Sequence, residues 1–90
     1  MVYVHLAEGF EEIEALTVVD VLRRAGIDTK TVSVSRNRIV TGTHGVPVES
    51  DILYEDADYG RCDMIVLPGG MPGAANLQAH DGLTSHIKDF

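Results

Sequence analysis

Two adjacent glycines, Gly69 and Gly70, stand where an apolar run gives way to the start of a helix. The run covers residues 64–67 and predicts a buried parallel strand, and Pro72 and Gly73 follow the pair. Glycines leave backbone N–H groups open to a cavity, and the positive end of a following helix adds to their field. Open α/β sheets bind their ligands at such turns, after the carboxyl ends of parallel strands. We therefore predict that Gly69 and Gly70 stabilise developing negative charge in one half of an active site.

The other half of such a site needs a group that moves protons, and glutamates crowd the start of the first predicted helix. They are Glu8, Glu11, Glu12 and Glu14. Glu14 differs from the rest because it lies on an apolar stripe of the helix, so we expect its carboxyl group to border hydrophobic packing. The stripe consists of Val18, Val21 and Ala25. Desolvation there would raise the pKa of Glu14 and let it carry a proton near neutral pH, whereas the alternative is a solvated first-turn acid that complements the helix dipole.

Charge and composition narrow the classes of partner. The chain has 90 residues, a formal net charge of −7 and 44% hydrophobic residues, which is typical of one soluble domain. Acidic proteins of this kind bind neither nucleic acid nor anionic membranes well, because both favour clustered Lys and Arg. Carboxylates after the first strand would also repel the phosphates of a dinucleotide. A single cysteine, Cys62, and the absence of a signal-peptide pattern favour a reducing, cytoplasmic location.

Strand and helix patterns alternate along the chain, as in a doubly wound parallel sheet. We expect strands at Val2–Ala7, Ile27–Ser35 and Asp63–Leu67, edge strands at Ile39–Thr41 and Gly45–Val48, a loop or short helix at Tyr54–Gly60, and helices at Glu11–Ala25, after Pro72 and at Asp81–Phe90. The first helix is predicted to bury one broad apolar face, which consists of Ala15, Leu16, Val18, Val19, Leu22 and Ala25. The last helix is predicted to begin at an Asp81 cap and to bury a stripe, which consists of Leu83, Ile87 and Phe90. Such a sheet normally continues past its third parallel strand, so we predict an α/β fold with a small edge hairpin that is incomplete in this chain.

Other reactive side chains are weaker candidates. Cys62 precedes a predicted strand and lies at its amino end, away from the crevice, so we expect it to be inert. His5 lies within the first strand and is more typical of a packed core histidine than of a catalyst. The remaining histidines, His44, His80 and His86, lack metal-ligand spacing. We therefore predict neither a metal site nor a cofactor.

Two long motifs resemble the ThiJ/PfpI family, in the branch of the Parkinson-disease-associated protein deglycase. One is AEGFEEIEA at residues 7–15, continued by VDVLRRAG at 19–26, and the other is DMIVLPGGMPGAANL at 63–77. The resemblance implies a flavodoxin-like fold in which residues 1–90 are the N-terminal half of one class I glutamine amidotransferase-like domain. It assigns Glu14 as the acid that hydrogen-bonds a reactive cysteine, and Gly69 and Gly70 as oxyanion donors. That cysteine would lie beyond residue 90, so the chain alone would be inactive.

The function that this resemblance implies is a cysteine-dependent glyoxalase III or deglycase, acting on methylglyoxal or glycated adducts. The alternatives are a redox-sensing or chaperone protein of the oxidative-stress type on the same scaffold, or a relative named for thiazole biosynthesis or peptidase activity. A receiver-like signalling domain ranks lower, because it needs a phosphoacceptor Asp where Leu67 and Pro68 stand. The expected partners are a small aldehyde or glycated substrate, the C-terminal remainder of the domain and a second subunit. The second subunit would cover the edge strands near residues 41–48.

Overall fold

A computed structural model describes residues 1–89 and shows a parallel sheet with helices on both faces. The strands are β1 (Val2–Leu6), β2 (Thr29–Ser33), β3 (Ile39–Thr41), β4 (Pro47–Glu49), β5 (Ile52–Leu53) and β6 (Met64–Val66), and the helices are α1 (Glu12–Arg24), α2 (Gly73–Gln78) and α3 (Asp81–Asp89). Four strands form the parallel sheet in the order β5-β2-β1-β6. The predicted doubly wound α/β fold is confirmed.

Strand β1 lies in the middle of the sheet, and its side chains alternate between two cores. Val2 pairs with Thr29 of β2 and with Met64 of β6, which sets the register of the three strands. Even-numbered residues of β1 pack towards α1, and odd-numbered residues face the opposite side of the sheet. All five residues of β1 are buried, so the apolar run in the sequence reflects burial on both faces of the sheet.

Helix α1 begins and ends within one residue of the predicted positions. The Oε1 atom of Glu11 caps it by accepting the N–H of Ile13 at 2.6 Å, and two arginines occupy its last turn. Its core face is narrower than expected, because Ala15 and Val19 are buried whereas Leu16 is 37% exposed. The predicted broad apolar face is therefore wrong on this side of the helix.

Helices α2 and α3 cover the opposite face of the sheet. Leu77 and Leu83 pack there with Ala7. Asp81 was predicted to cap α3, but it is the first residue of the helix. His80 caps the helix, because its Nδ1 atom accepts the N–H of Leu83 at 3.0 Å. Ile87 is 39% exposed, and the predicted contribution of Phe90 lies outside the described residues.

The two predicted edge strands pair with each other. Strands β3 and β4 form a separate antiparallel sheet, in which Val40 faces Val48. The acidic stretch after β5 contains two 3-10 helices, Tyr54–Asp56 and Tyr59–Arg61, as the expectation of a loop or short helix allowed. Strand β5 itself was not predicted, because a strand of two residues leaves no periodic pattern.

Strand β6 is the exception to the predicted burial. It lies at the edge of the described sheet, with β1 on one side, and Met64 is 52% exposed. Leu67, just after the strand, is 45% exposed. The prediction of a buried strand is therefore wrong for the described part of the chain. None of the helices within residues 1–89 is long and apolar enough to cross a membrane.

Candidate functional site

The turn that contains Gly69 and Gly70 interlocks with the loop that leads from β1 into α1. The N–H of Glu11 donates to the carbonyl of Gly69 at 3.0 Å, and the side-chain amide of Asn76 donates to the carbonyl of Glu8 at 2.8 Å. Strands β1 and β6 are neighbours that point the same way, so both loops leave the sheet at its carboxyl edge. The crevice between them is the place where α/β sheets bind ligands.

The carboxyl group of Glu14 lies directly against Gly69. A Cβ atom placed on Gly69 would lie 3.0 Å from Oε2 of Glu14 and 3.1 Å from Oε1, which is closer than ordinary van der Waals contact. The fold therefore brings together the two predicted halves of the site, one in the first turn of α1 and the other in the glycine turn. Glu14 makes no side-chain hydrogen bond within residues 1–89, so its oxygen atoms are available to a ligand in the crevice.

The backbone N–H groups of the glycine turn are also available to a ligand. Among residues 1–89, neither Gly69 nor Gly70 donates its N–H to an acceptor. Gly70 has a φ of +97°, and a Cβ there would lie only 2.7 Å from the backbone nitrogen of Glu11. A side chain would therefore meet both steric overlap and an unfavourable backbone conformation, which explains glycine at this position.

Of the two environments predicted for Glu14, the structure shows the solvated first-turn acid and not the desolvated one. Glu14 is exposed, and Val21 of its stripe is 56% exposed, because α1 turns Ala15 and Val19 towards the sheet. Of the stripe residues only Val18 packs against the core, whereas Val21 and Ala25 are exposed, because this helix carries hydrophobic side chains on more than one face. Glu14 is thus positioned by its contact with the glycine turn and not by hydrophobic packing.

The hairpin of β3 and β4 forms a third wall of the crevice. The backbone N–H of Thr43 donates to the carbonyl of Phe10 at 2.8 Å, and its hydroxyl donates to the carbonyl of Met71 at 3.1 Å. One residue of the hairpin thereby contacts the loops on both sides of the site. Met71 is 67% exposed beside it, which places this side chain at the mouth of the crevice.

Glu12 anchors this hairpin, a role that the sequence did not indicate. Its Oε2 atom accepts the N–H of His44 at 2.9 Å and that of Val46 at 3.2 Å, while Oε1 lies 2.9 Å from Nδ1 of His44. Burial alone would raise the pKa of Glu12, but these hydrogen bonds outweigh it and lower the pKa to about 2. The hydrogen bond to Glu12 raises the pKa of His44 in turn.

Three side chains near the start of α1 are of the types that bind metal ions. Glu11, Glu12 and His44 each place one ligand atom within 4.8 Å of the others. Both oxygen atoms of Glu12 already accept hydrogen bonds, and Glu11 uses Oε1 to cap the helix. This arrangement is that of a hydrogen-bonded ion pair between Glu12 and His44, with Glu11 3.9 Å from the imidazole.

Cys62, His5, His80 and His86, which we excluded from the site, lie away from it, whereas His44 lies on its third wall. Cys62 is buried just before β6, and its thiol donates to the carbonyl of Met64 at 3.1 Å. His5 is completely buried, as expected of a core histidine. His80 and His86 are half-buried and pack against Tyr54.

Comparison with known proteins gives the family. The sequence pattern of the DJ-1/PfpI family matches residues 1–90. This chain belongs to the DJ-1/PfpI family. The Parkinson disease protein 7 homolog of Danio rerio is 38% identical over 85 residues, which make up 93% of this chain and 45% of that protein. A protein named as a deglycase from Thermococcus kodakarensis is 34% identical over 64 residues, or 71% of this chain and 38% of that protein.

Solved structures of DJ-1 proteins share this fold. Oxidized DJ-1 of Toxoplasma gondii superposes with a TM-score of 0.93 at 40% sequence identity, covering 98% of this chain and 48% of that one. The resemblance seen in the two sequence motifs and the flavodoxin-like fold are therefore confirmed. The chain spans less than half the length of each of these three relatives.

Proposed function

We propose that this chain is the N-terminal half of one DJ-1/PfpI domain with cysteine-dependent glyoxalase or deglycase activity. Its substrates would be methylglyoxal or glycated adducts. The observation that carries the proposal is the contact of the Glu14 carboxyl group with Gly69, next to two backbone amides without acceptors in residues 1–89. The similarity to a protein named as a deglycase supports the same class of reaction.

The reaction needs a thiolate, which the second half of the domain would supply. The thiolate adds to the aldehyde carbon of methylglyoxal, and the negative charge moves to the aldehyde oxygen. The N–H groups of Gly69 and Gly70 would donate to that oxygen and lower the barrier to attack. Glu14 would carry the proton from the former aldehyde carbon to the neighbouring carbonyl carbon. A thioester C=O bond then forms at the first carbon, and the negative charge passes to the oxygen of the second carbon, which takes a proton from water. The hydroxide that remains hydrolyses the thioester, which yields lactic acid and restores the thiolate, and the acid ionises to lactate.

A second copy of the chain is the protein partner that we propose. Ile13 is 73% exposed, Leu16 37% and Val46 46%, and the three line one shallow concavity formed by α1 and the hairpin. An apolar surface of this kind is typical of an interface between subunits. A symmetric dimer would bury it and cover the outer edge of the hairpin.

The decisive experiment replaces Glu14 by glutamine in the intact protein that contains this chain. Glutamine keeps the size of the side chain but cannot exchange a proton, so we expect the turnover of methylglyoxal to lactate to fall by about 10²-fold or more. Glu55→Gln is the matched control, because Glu55 is an exposed glutamate outside the crevice. Unchanged turnover in Glu14→Gln would remove Glu14 from the mechanism. Suppression of protein aggregation without any turnover in the unmodified protein would favour the chaperone alternative.

A further inference from the structure

A cluster of tyrosines and histidines lies on the face of the sheet opposite α1, apart from the proposed site. At its centre, His5 on β1 is completely buried, and Tyr59 in the second 3-10 helix covers it. The rings of His5 and Tyr59 lie 5.9 Å apart at an angle of 16°, and His86 of α3 stacks on Tyr59 at 4.1 Å. The proposed glyoxalase reaction makes no use of these side chains.

The hydrogen bonds of His5 assign its protons. Its Nδ1 atom lies 3.3 Å from the carbonyl oxygen of Val66, which can only accept, so Nδ1 must carry a proton. In the neutral ring, Nε2 then presents a lone pair. The hydroxyl oxygen of Tyr59 lies 2.6 Å from Nε2, so the phenol donates its proton to that lone pair. The pair is therefore a phenol in short contact with a base.

Burial keeps both partners neutral. It lowers the pKa of His5 to about 4 and raises the pKa of Tyr59. At neutral pH the imidazole is therefore free to accept a proton, and the phenol still has one to give. An imidazolium formed at this position would be a strong acid. It would therefore return its proton to Tyr59 once the tyrosyl radical had been reduced to the phenolate.

Within residues 1–89, the hydroxyl groups of the other two tyrosines are not hydrogen-bonded to a base. The hydroxyl of Tyr3 accepts the N–H of Asp58 at 2.8 Å and faces the carbonyl of the same residue at 3.4 Å. The hydroxyl of Tyr54 packs against Gly82 and hydrogen-bonds no group within residues 1–89. The rings of Tyr3 and Tyr54 lie 5.3 and 5.7 Å from that of Tyr59, close enough to pass an electron to one another. The chain contains no tryptophan that would compete as an electron donor.

We propose that Tyr59 is a redox site at which a peroxyl radical takes one electron from the phenol while the phenol proton moves to Nε2 of His5. The O–H bond of Tyr59 breaks and an N–H bond forms on His5, which leaves a neutral tyrosyl radical beside an imidazolium. The peroxyl radical becomes a peroxide anion, which takes a proton from water and ends as a hydroperoxide. A phenol becomes a strong acid when it loses an electron, so a base already in contact lowers the barrier to oxidation.

The first test measures where the radical forms. Trichloromethylperoxyl radicals, generated by pulse radiolysis, would be reacted with the intact protein that contains this chain. We expect Tyr59→Phe to lose most of the transient tyrosyl absorbance that this chain contributes. Tyr3→Phe and Tyr54→Phe are matched controls that should retain most of it. A Tyr59→Phe signal equal to that of the unmodified protein, or an equal loss in either control, would overturn the proposal.

A second measurement tests the role of His5. His5→Gln keeps an oxygen that accepts from the phenol but removes the base, so oxidation should become at least about tenfold slower. Near-ultraviolet circular dichroism would establish that the variant is folded. The unmodified protein offers a readout that does not depend on this variant, since oxidation of Tyr59 should be slower in D₂O than in H₂O. Equal rates in the two solvents would show that no proton moves with the electron.

Discussion

At the scale of single residues, two glutamates in the first turn of α1 have different tasks. Glu14 is exposed and touches Gly69, where a ligand could meet it. Glu12, two positions earlier, is only 6% exposed and accepts hydrogen bonds from the hairpin. One carboxyl group is therefore available for chemistry, while the other keeps the third wall of the crevice in place.

The ion pair between Glu12 and His44 predicts a dependence of stability on pH. The pKa of His44 in the folded protein lies above its usual value of 6.5, chiefly through the hydrogen bond to Glu12. Protonated His44 therefore stabilises the fold fully below pH 6.5, and this contribution is lost as the pH rises through the higher folded pKa. We expect the free energy of unfolding in urea to fall over that range.

His44→Asn is the matched variant for this measurement, because its amide still donates to Glu12 but does not titrate. Its stability should change less with pH over the same range. An identical pH dependence in the variant and in the unmodified protein would show that another group is responsible.

At the scale of elements, α1 has two apolar faces with different uses. Ala15 and Val19 face the sheet, whereas Ile13 and Leu16 face outwards beside Val46 of the hairpin. The hairpin was predicted to need a cover because its outer edge is unpaired, and its contacts with α1 create the apolar surface that such a cover would bury. This second face is separate from the stripe of Val18, Val21 and Ala25 on which Glu14 lies.

This surface predicts the effect of a charge on assembly. Ile13→Glu would place a carboxylate in the middle of the proposed interface, so we expect dimers to dissociate into monomers in sedimentation velocity experiments. Ile27→Glu is the control, because Ile27 is 42% exposed but lies outside the patch. Dimers that persist equally in both variants would place the interface elsewhere.

At the scale of the whole molecule, the described half-sheet leaves one side uncovered. An apolar cavity beside β6 is lined by Leu67, Leu77, Leu83 and Ile87, among others, and Met64 is exposed on the strand itself. The chain spans less than half of its relatives, so we propose that the second half of the domain covers this edge. The same half would bring the thiolate to the crevice.

Hydrogen exchange tests this arrangement. The backbone amides of β6 should exchange faster in residues 1–90 alone than in the intact protein, because an added strand would pair with them. The amides of β1, which already has β2 and β6 on its two sides, are the internal reference. Equal exchange of β6 in both samples would contradict the proposed position of the second half.

The sequence by itself determined the order of the elements apart from β5, the family and the identity of the two segments that meet at the site. The span of α1 and the position of β1 follow from local periodicity and capping. The glycine turn is indicated by two adjacent glycines with a proline close behind them. The tertiary structure alone decided which residues of these segments come into contact. Glu14 lies against Gly69, Glu12 binds the hairpin and Tyr59 covers His5. Each of these contacts joins residues that lie 32 to 55 positions apart in the chain. Local patterns carry no information about such distant pairs, because their geometry arises only when the sheet brings its strands together.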